Sequence, residues 1–121
     1  MSNASDDVDN NMAGNVKHSA NHYDRCFLSY SGAGLPLNMV SEVSAVEVQN
    51  RNTFFGANYD ESGRLMRVHK LVYGSIELSH EYVYDCEGKL LQADVCNVDD
   101  ESRRLFFDAT GNISGIEELE D

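Results

Sequence analysis

The sequence predicts a mainly β protein: an antiparallel meander sheet of about five to seven strands with at most one short helix. The alternative class is α+β. Three observations support the prediction. One turn phrase occurs three times, a separate glycine turn lies between the first two copies, and apolar and polar side chains alternate across much of residues 59–95.

The repeated phrase reads aromatic, Asp, two residues, Gly, polar residue, aliphatic residue. It occupies residues 59–65, 84–90 and 107–113. An Asp side chain can accept a hydrogen bond from the backbone two residues on, and Gly can take the positive φ that reverses a chain. Successive copies are 25 and 23 residues apart. These intervals leave room for one outgoing and one returning strand, which predicts a meander.

These phrases resemble the YD repeats of bacterial Rhs-type and teneurin-like shells, and the resemblance covers roughly half of the chain. It implies hairpins aligned in a sheet and little about function. The third copy has Phe107 in place of Tyr. A second set of segments, residues 27–32, 35–37, 50–53 and 72–74, resembles a family of small uncharacterised bacterial domains. That resemblance implies no activity.

A second kind of turn is predicted at Gly74-Ser75, because Gly at the first central position is typical of a type II′ hairpin. Every second pair across this hairpin would then lie on one face, which is the candidate core face. The predicted pairs are Tyr73 with Ile76, Leu71 with Leu78, His69 with His80, Arg67 with Tyr82, and Leu65 with Tyr84.

The candidate site follows from this register, which places His69 directly opposite His80 among apolar residues. The structural interpretation is a pair of neutral imidazoles hydrogen-bonded to a hydroxyl or a carbonyl. The functional interpretation is a ligand pocket in which Arg67 and Tyr82 orient an anionic group, or a metal shared by the two histidines.

The strand after Gly88 admits two registers, and a slip of one residue exchanges its faces. Pairing Asp85 with Gly88 continues the core face with apolar residues, which the hydrophobic pattern favours. A glycine bulge, which the turn chemistry favours, instead places Asp94 beside His80 and creates a row of His69, His80 and Asp94 that could hold a divalent metal. The first register places Leu91, Ala93 and Val95 on the core face, and the second places Leu90, Gln92, Asp94 and Cys96 there.

Composition predicts a disordered polar tail at residues 1–22 and one β-meander domain at residues 23–119. Strands are expected at residues 25–31, 54–59, 103–107 and 112–119, and a short helix at residues 41–50. His18, His22 and Cys26 recur every fourth residue, a spacing that on a helix would suit zinc. The flanking residues are poor helix formers, so chance placement is the preferred interpretation.

Charge restricts the partners. The net charge is −12, with 21 acidic and 9 basic residues, so nucleic acid and anionic membranes are excluded as expected partners. The odd number of cysteines, three, and the absence of a secretory signal predict a cytoplasmic protein with reduced thiols.

No catalytic motif is recognisable, so the expected function is a small acidic protein-interaction or accessory module without catalytic activity or cofactor. Its expected partner is another protein. The alternative is a ligand- or metal-binding protein, including an enzyme, that uses His69 and His80.

Overall fold

Eight strands form a single antiparallel sheet in the computed structural model, which describes residues 20–98 and 102–119. The strands are β1 (Arg25–Ser31), β2 (Asn38–Val43), β3 (Thr53–Tyr59), β4 (Leu65–Val72), β5 (Ser75–Tyr84), β6 (Leu90–Asn97), β7 (Ser102–Phe107) and β8 (Ile113–Leu119). A 3-10 turn (Ala20–His22) and a helix, α1 (Ala45–Val48), are also present. The mainly β class is confirmed, with one strand more than expected. Most of the predicted tail, residues 1–19, lies outside the described residues.

The strand order is β2-β1-β3-β4-β5-β6-β7-β8. From β3 onward each strand pairs with its successor, as a meander requires. β1 lies between β2 and β3, so β2 and β8 are the two edges of the sheet.

The additional strand, β2, includes residues that were predicted to begin a helix. Val40 and Val43 pair with Ser29 and Cys26 of β1, and β-branched side chains favour such pairing. The helix is therefore confined to α1. The Ser44 hydroxyl caps it by accepting a hydrogen bond from the backbone N–H of Glu47 at 3.1 Å.

The three repeated phrases form one common turn. In each, Asp Oδ1 accepts backbone hydrogen bonds from the second and fourth residues after it, at 2.8–3.0 Å. The glycines at positions 63, 88 and 111 have φ of 84°, 88° and 91°. Hydrogen bonds lower the pKa of all three aspartates. Backbone N–H donors are the main cause at Asp60 and Asp85, and the Thr110 side chain is the main cause at Asp108.

The turn between β4 and β5 differs from the prediction. Its central residues are Tyr73 and Gly74, with φ of 51° and 82°, and Val72 pairs with Ser75. Two positive φ values identify a type I′ turn, so Gly74 is the second central residue rather than the first. A register shift between Lys70 and Leu71 moves the pairing again.

This difference makes the predicted histidine pair wrong. His69 lies opposite Ser79, and His80 lies opposite Val68. Because neighbouring residues of a strand point to opposite faces, a register error of one residue separates the two imidazoles.

Each face of the sheet has its own apolar core. Face A carries Phe55, Ala57, Val68, Tyr82 and Ala93, and Leu37 from the β1–β2 connection packs on it. The core of face B consists of Cys26, Val48, Phe54 and Leu71. Val68 and Leu71 are fully buried, and burying each side chain stabilises the fold by about 1.5–3 kcal/mol.

The structure combines parts of both registers considered for β6. Tyr84 pairs with Leu90, and a shift between Val83 and Tyr84 then restores Ala93 and Val95 to face A. Leu91 is 44 % exposed, so its predicted place in the core is wrong.

Candidate binding sites on the two faces of the sheet

The four predicted site residues separate into two pairs. His80 and Tyr82 lie on face A, whereas His69 and Arg67 lie on face B. The two members of each pair are two residues apart in one strand, so each pair shares a face. The two histidines therefore line different pockets, one on each face.

On face A, Tyr82 connects the sheet to the β1–β2 connection. Its hydroxyl accepts a hydrogen bond from the buried backbone N–H of Leu37 at 3.1 Å and lies 2.7 Å from Nδ1 of His80. Since Leu37 supplies a donor, the Tyr82 O–H is assigned as the donor to Nδ1. His80 is then the neutral tautomer with its proton on Nε2.

Burial favours the neutral form of both residues. It lowers the pKa of His80 below its ordinary 6.5, and it strongly raises the pKa of Tyr82. The pair therefore acts as a fixed hydrogen-bonding unit at neutral pH rather than as a charged group.

His80 lies in the wall of an open groove of about 700 Å³ on face A. The groove runs between the β1–β2 connection and the β7–β8 hairpin. Most of its wall is apolar, and Asn112 and His80 supply the polar side chains. The lining residues are Ala33, Gly34, Leu35, His80, Val95, Leu105, Phe107, Gly111, Asn112 and Ile113.

The groove continues to the free edge of the sheet. Ile113 is 53 % exposed, and Ile116, which pairs with Leu105, is 59 % exposed. Large apolar side chains are thus exposed on the edge strand as well as in the groove beside it.

Face B contains a smaller, polar cleft of about 220 Å³. The Tyr23 hydroxyl lies 2.8 Å from Nδ1 of His69, and the two rings meet edge to face at 5.6 Å. Burial raises the pKa of Tyr23 to about 12. The cleft is lined by His22, Tyr23, Asn58, Arg67 and His69.

The backbone of β3 makes room for the Tyr23 ring. A Cβ at Gly56 would lie 2.3 Å from Cγ of Tyr23, well inside any permitted contact. Tyr23 and Asn58 were not predicted as site residues. The available signal was Gly56 within a strand, because an interior strand glycine often marks a close approach.

The metal row that the alternative register of β6 would create does not form. Asp94 lies on face B with its carboxylate bound to Arg104, at 2.9 Å and 3.0 Å, and does not neighbour His80. No group of three or more potential metal-binding side chains occurs within the described part of the chain. His18 of the predicted zinc stripe lies outside it.

None of the helices in the described ranges has the length and apolar character needed to cross a membrane. No curated protein and no solved structure matches the chain significantly. One protein family does match, over residues 19–115, and it is described as a family of unknown function. This match supports the expected uncharacterised family and gives no support to the YD-repeat resemblance. Since the match covers most of the chain, the protein belongs to the family of unknown function DUF6156.

Proposed function

We propose that the protein is a non-catalytic interaction module that binds an extended basic segment of another protein along the edge strand β8. The observation that carries this proposal is the combination of an available strand edge with adjacent apolar surface. Among the described residues β8 pairs only with β7, and Ile113 and Ile116 are more than half exposed. An added strand would satisfy the backbone groups of this edge.

The other edge is less suited to strand addition. Ser41, in the middle of β2, has a φ of 63°, which bends a strand and interrupts its hydrogen-bonding ladder. β8 has no residue with positive φ between Ile113 and Leu119. A straight incoming segment therefore fits β8 better than β2.

Charge favours a basic partner over a second copy of the chain. Two copies would each carry a net charge of −12 and repel each other. β8 itself contains Glu117 and Glu118, and Arg103 pairs with Glu118 only at the exposed surface, at 3.3 Å. Basic side chains on an incoming strand would add attraction at this edge.

The apolar row on face A determines which side of the added strand carries apolar side chains. Side chains on face A run from Leu105 of β7 to Ile116 of β8. An apolar residue of the added strand would extend this row and cover Ile116. The partner segment is accordingly extended, with apolar side chains on one face and lysine or arginine on the other.

A labelled peptide of alternating lysine and valine tests this proposal by fluorescence anisotropy. Saturable binding is expected, and Ile116→Lys should weaken it on the order of tenfold by placing a cation on the edge. Val46→Lys on α1 is the matched control, because Val46 is exposed and distant from β8. Absence of saturable binding, equal effects of the two variants, or equal binding of a glutamate–valine peptide would overturn the proposal.

A small-molecule site is the second candidate function, favoured by the position of His80 in the groove wall. A neutral apolar molecule with one hydrogen-bonding group would suit the groove. Nile red fluorescence tests it: saturable binding that His80→Phe weakens supports a pocket, and binding unchanged by the variant contradicts it.

We also propose a cytoplasmic location, because an odd number of cysteines, three, is typical of proteins with reduced thiols.

A further inference from the structure

The cleft on face B differs in chemistry from the rest of the protein. The chain has 21 acidic and only 9 basic residues, yet no acidic side chain lines this cleft in the described structure. Its wall contains an arginine, two histidines, a tyrosine and an asparagine. These side chains offer several N–H and O–H groups to one small volume.

Arg67 is held in position while most of its guanidinium group stays available. Its Nε donates a hydrogen bond to Oδ1 of Asn58 at 3.2 Å, and Nδ2 of Asn58 donates to the carbonyl of His22 at 3.4 Å. Within the described ranges, the two terminal amino groups of Arg67 make no hydrogen bond or ion pair. Glu81 is its cross-strand neighbour, yet no ion pair joins them.

Tyr23 and His69 form the opposite wall. Tyr23 lies against the backbone of Gly56, where no larger residue would leave room for the ring. Its hydroxyl contact with Nδ1 of His69 holds the imidazole at the cleft. Two chain segments separated by 46 residues are thus joined at this site, and both walls are ordered by specific contacts.

We propose that this cleft binds a small oxyanion, such as inorganic phosphate or a short carboxylate, with the terminal amino groups of Arg67 as its principal donors. A planar guanidinium can donate two parallel hydrogen bonds to such an anion. A volume of about 220 Å³ suits a small anion rather than a nucleotide. The site lies on the face opposite the groove, so it is independent of the interaction proposed for β8.

Phosphate titration followed by NMR of the arginine Nε–H groups, with acetate as a second ligand, tests the site. Each titration is compared with sodium chloride at equal ionic strength. Saturable shifts are expected at Arg67, and Arg67→Gln should weaken binding, measured calorimetrically, on the order of tenfold. Arg103→Gln is the matched control because it removes an equal charge from an exposed position.

A second variant and two control comparisons test whether Arg67 is the principal donor to the anion. Tyr23→Phe keeps the ring and removes the hydroxyl, so it should weaken binding less than Arg67→Gln does. The proposal is overturned if chloride reproduces the shifts, or if Arg67→Gln and Arg103→Gln bind phosphate equally. Circular dichroism on each variant separates loss of binding from loss of folding.

Discussion

The hydroxyl of Tyr82 lies 2.7 Å from Nδ1 of His80, two residues earlier in β5, and also accepts a hydrogen bond from the backbone N–H of Leu37. One buried oxygen therefore joins the sheet to the connection that covers face A. The groove depends on this junction because Leu35, two residues before Leu37, forms part of its wall.

Tyr82→Phe should destabilise the protein by about 1–3 kcal/mol, because it leaves the buried N–H of Leu37 without its acceptor. Urea denaturation measures the change in the free energy of unfolding. Tyr30→Phe is the control, since Tyr30 is 41 % exposed and should change stability by less than about 0.5 kcal/mol. Equal effects of the two substitutions would contradict the role assigned to the Tyr82 hydroxyl.

The lowered pKa of His80 predicts that the stability of the fold depends on pH near neutrality. Its pKa is lowered in the folded state, so the unfolded chain binds more protons once the pH falls below about 6.5. The stability present above this pH should decline on acidification, with a slope from this residue below about 1.4 kcal/mol per pH unit, the limit for one proton. The turn aspartates also have lowered pKa values, but their contributions are lost only at lower pH.

Denaturation midpoints measured between pH 7.5 and 5 in wild type and in His80→Gln isolate this contribution. The variant should have the flatter profile. Parallel profiles would show that His80 binds a proton equally well in the folded and unfolded chains.

Gly56→Ala should destabilise the fold by about 1–3 kcal/mol, because the new methyl group would overlap the Tyr23 ring. Gly115→Ala in β8 is the matched control. Its Cβ would meet Phe106 at an ordinary 3.6 Å, and reduced backbone freedom in the unfolded chain favours Ala. The thermal unfolding midpoint should therefore fall in Gly56→Ala and rise in Gly115→Ala. A neutral Gly56→Ala would show that Tyr23 does not pack on β3 as described.

The parts of the fold that follow from local chemistry were predictable. The Asp-x-x-Gly phrases place the acceptor and the positive-φ residue within four positions, and all three form the predicted reversal. The bounds of β1 agree with the alternation of residues 25–31. Residues two apart in one strand were also correctly assigned to one face, as with His80 and Tyr82.

Cross-strand relationships were less predictable, because they depend on the turn and on bulges at the same time. Gly74 suits either position of a primed turn, and the choice between them shifts every pair of β4 and β5. Irregularities beside Tyr59, Leu71 and Tyr84 then change the register locally. The contact between Tyr23 and His69 spans 46 residues, and Gly56 signals a close approach without identifying the ring that makes it.

Tyr73→Asn tests the observed turn directly. Tyr73 has a φ of 51°, a conformation that Asn tolerates better than a bulky residue, so the substitution should relieve backbone strain. It also removes the hydroxyl that accepts a hydrogen bond from Nδ2 of Asn52 at 3.2 Å. This hydrogen bond is exposed, so its loss costs less free energy than the relief of strain gains. A net stabilisation below about 1 kcal/mol is therefore expected. Ser75→Asn, just outside the turn, should give none, whereas a turn centred on Gly74 and Ser75 would predict no gain from Tyr73→Asn.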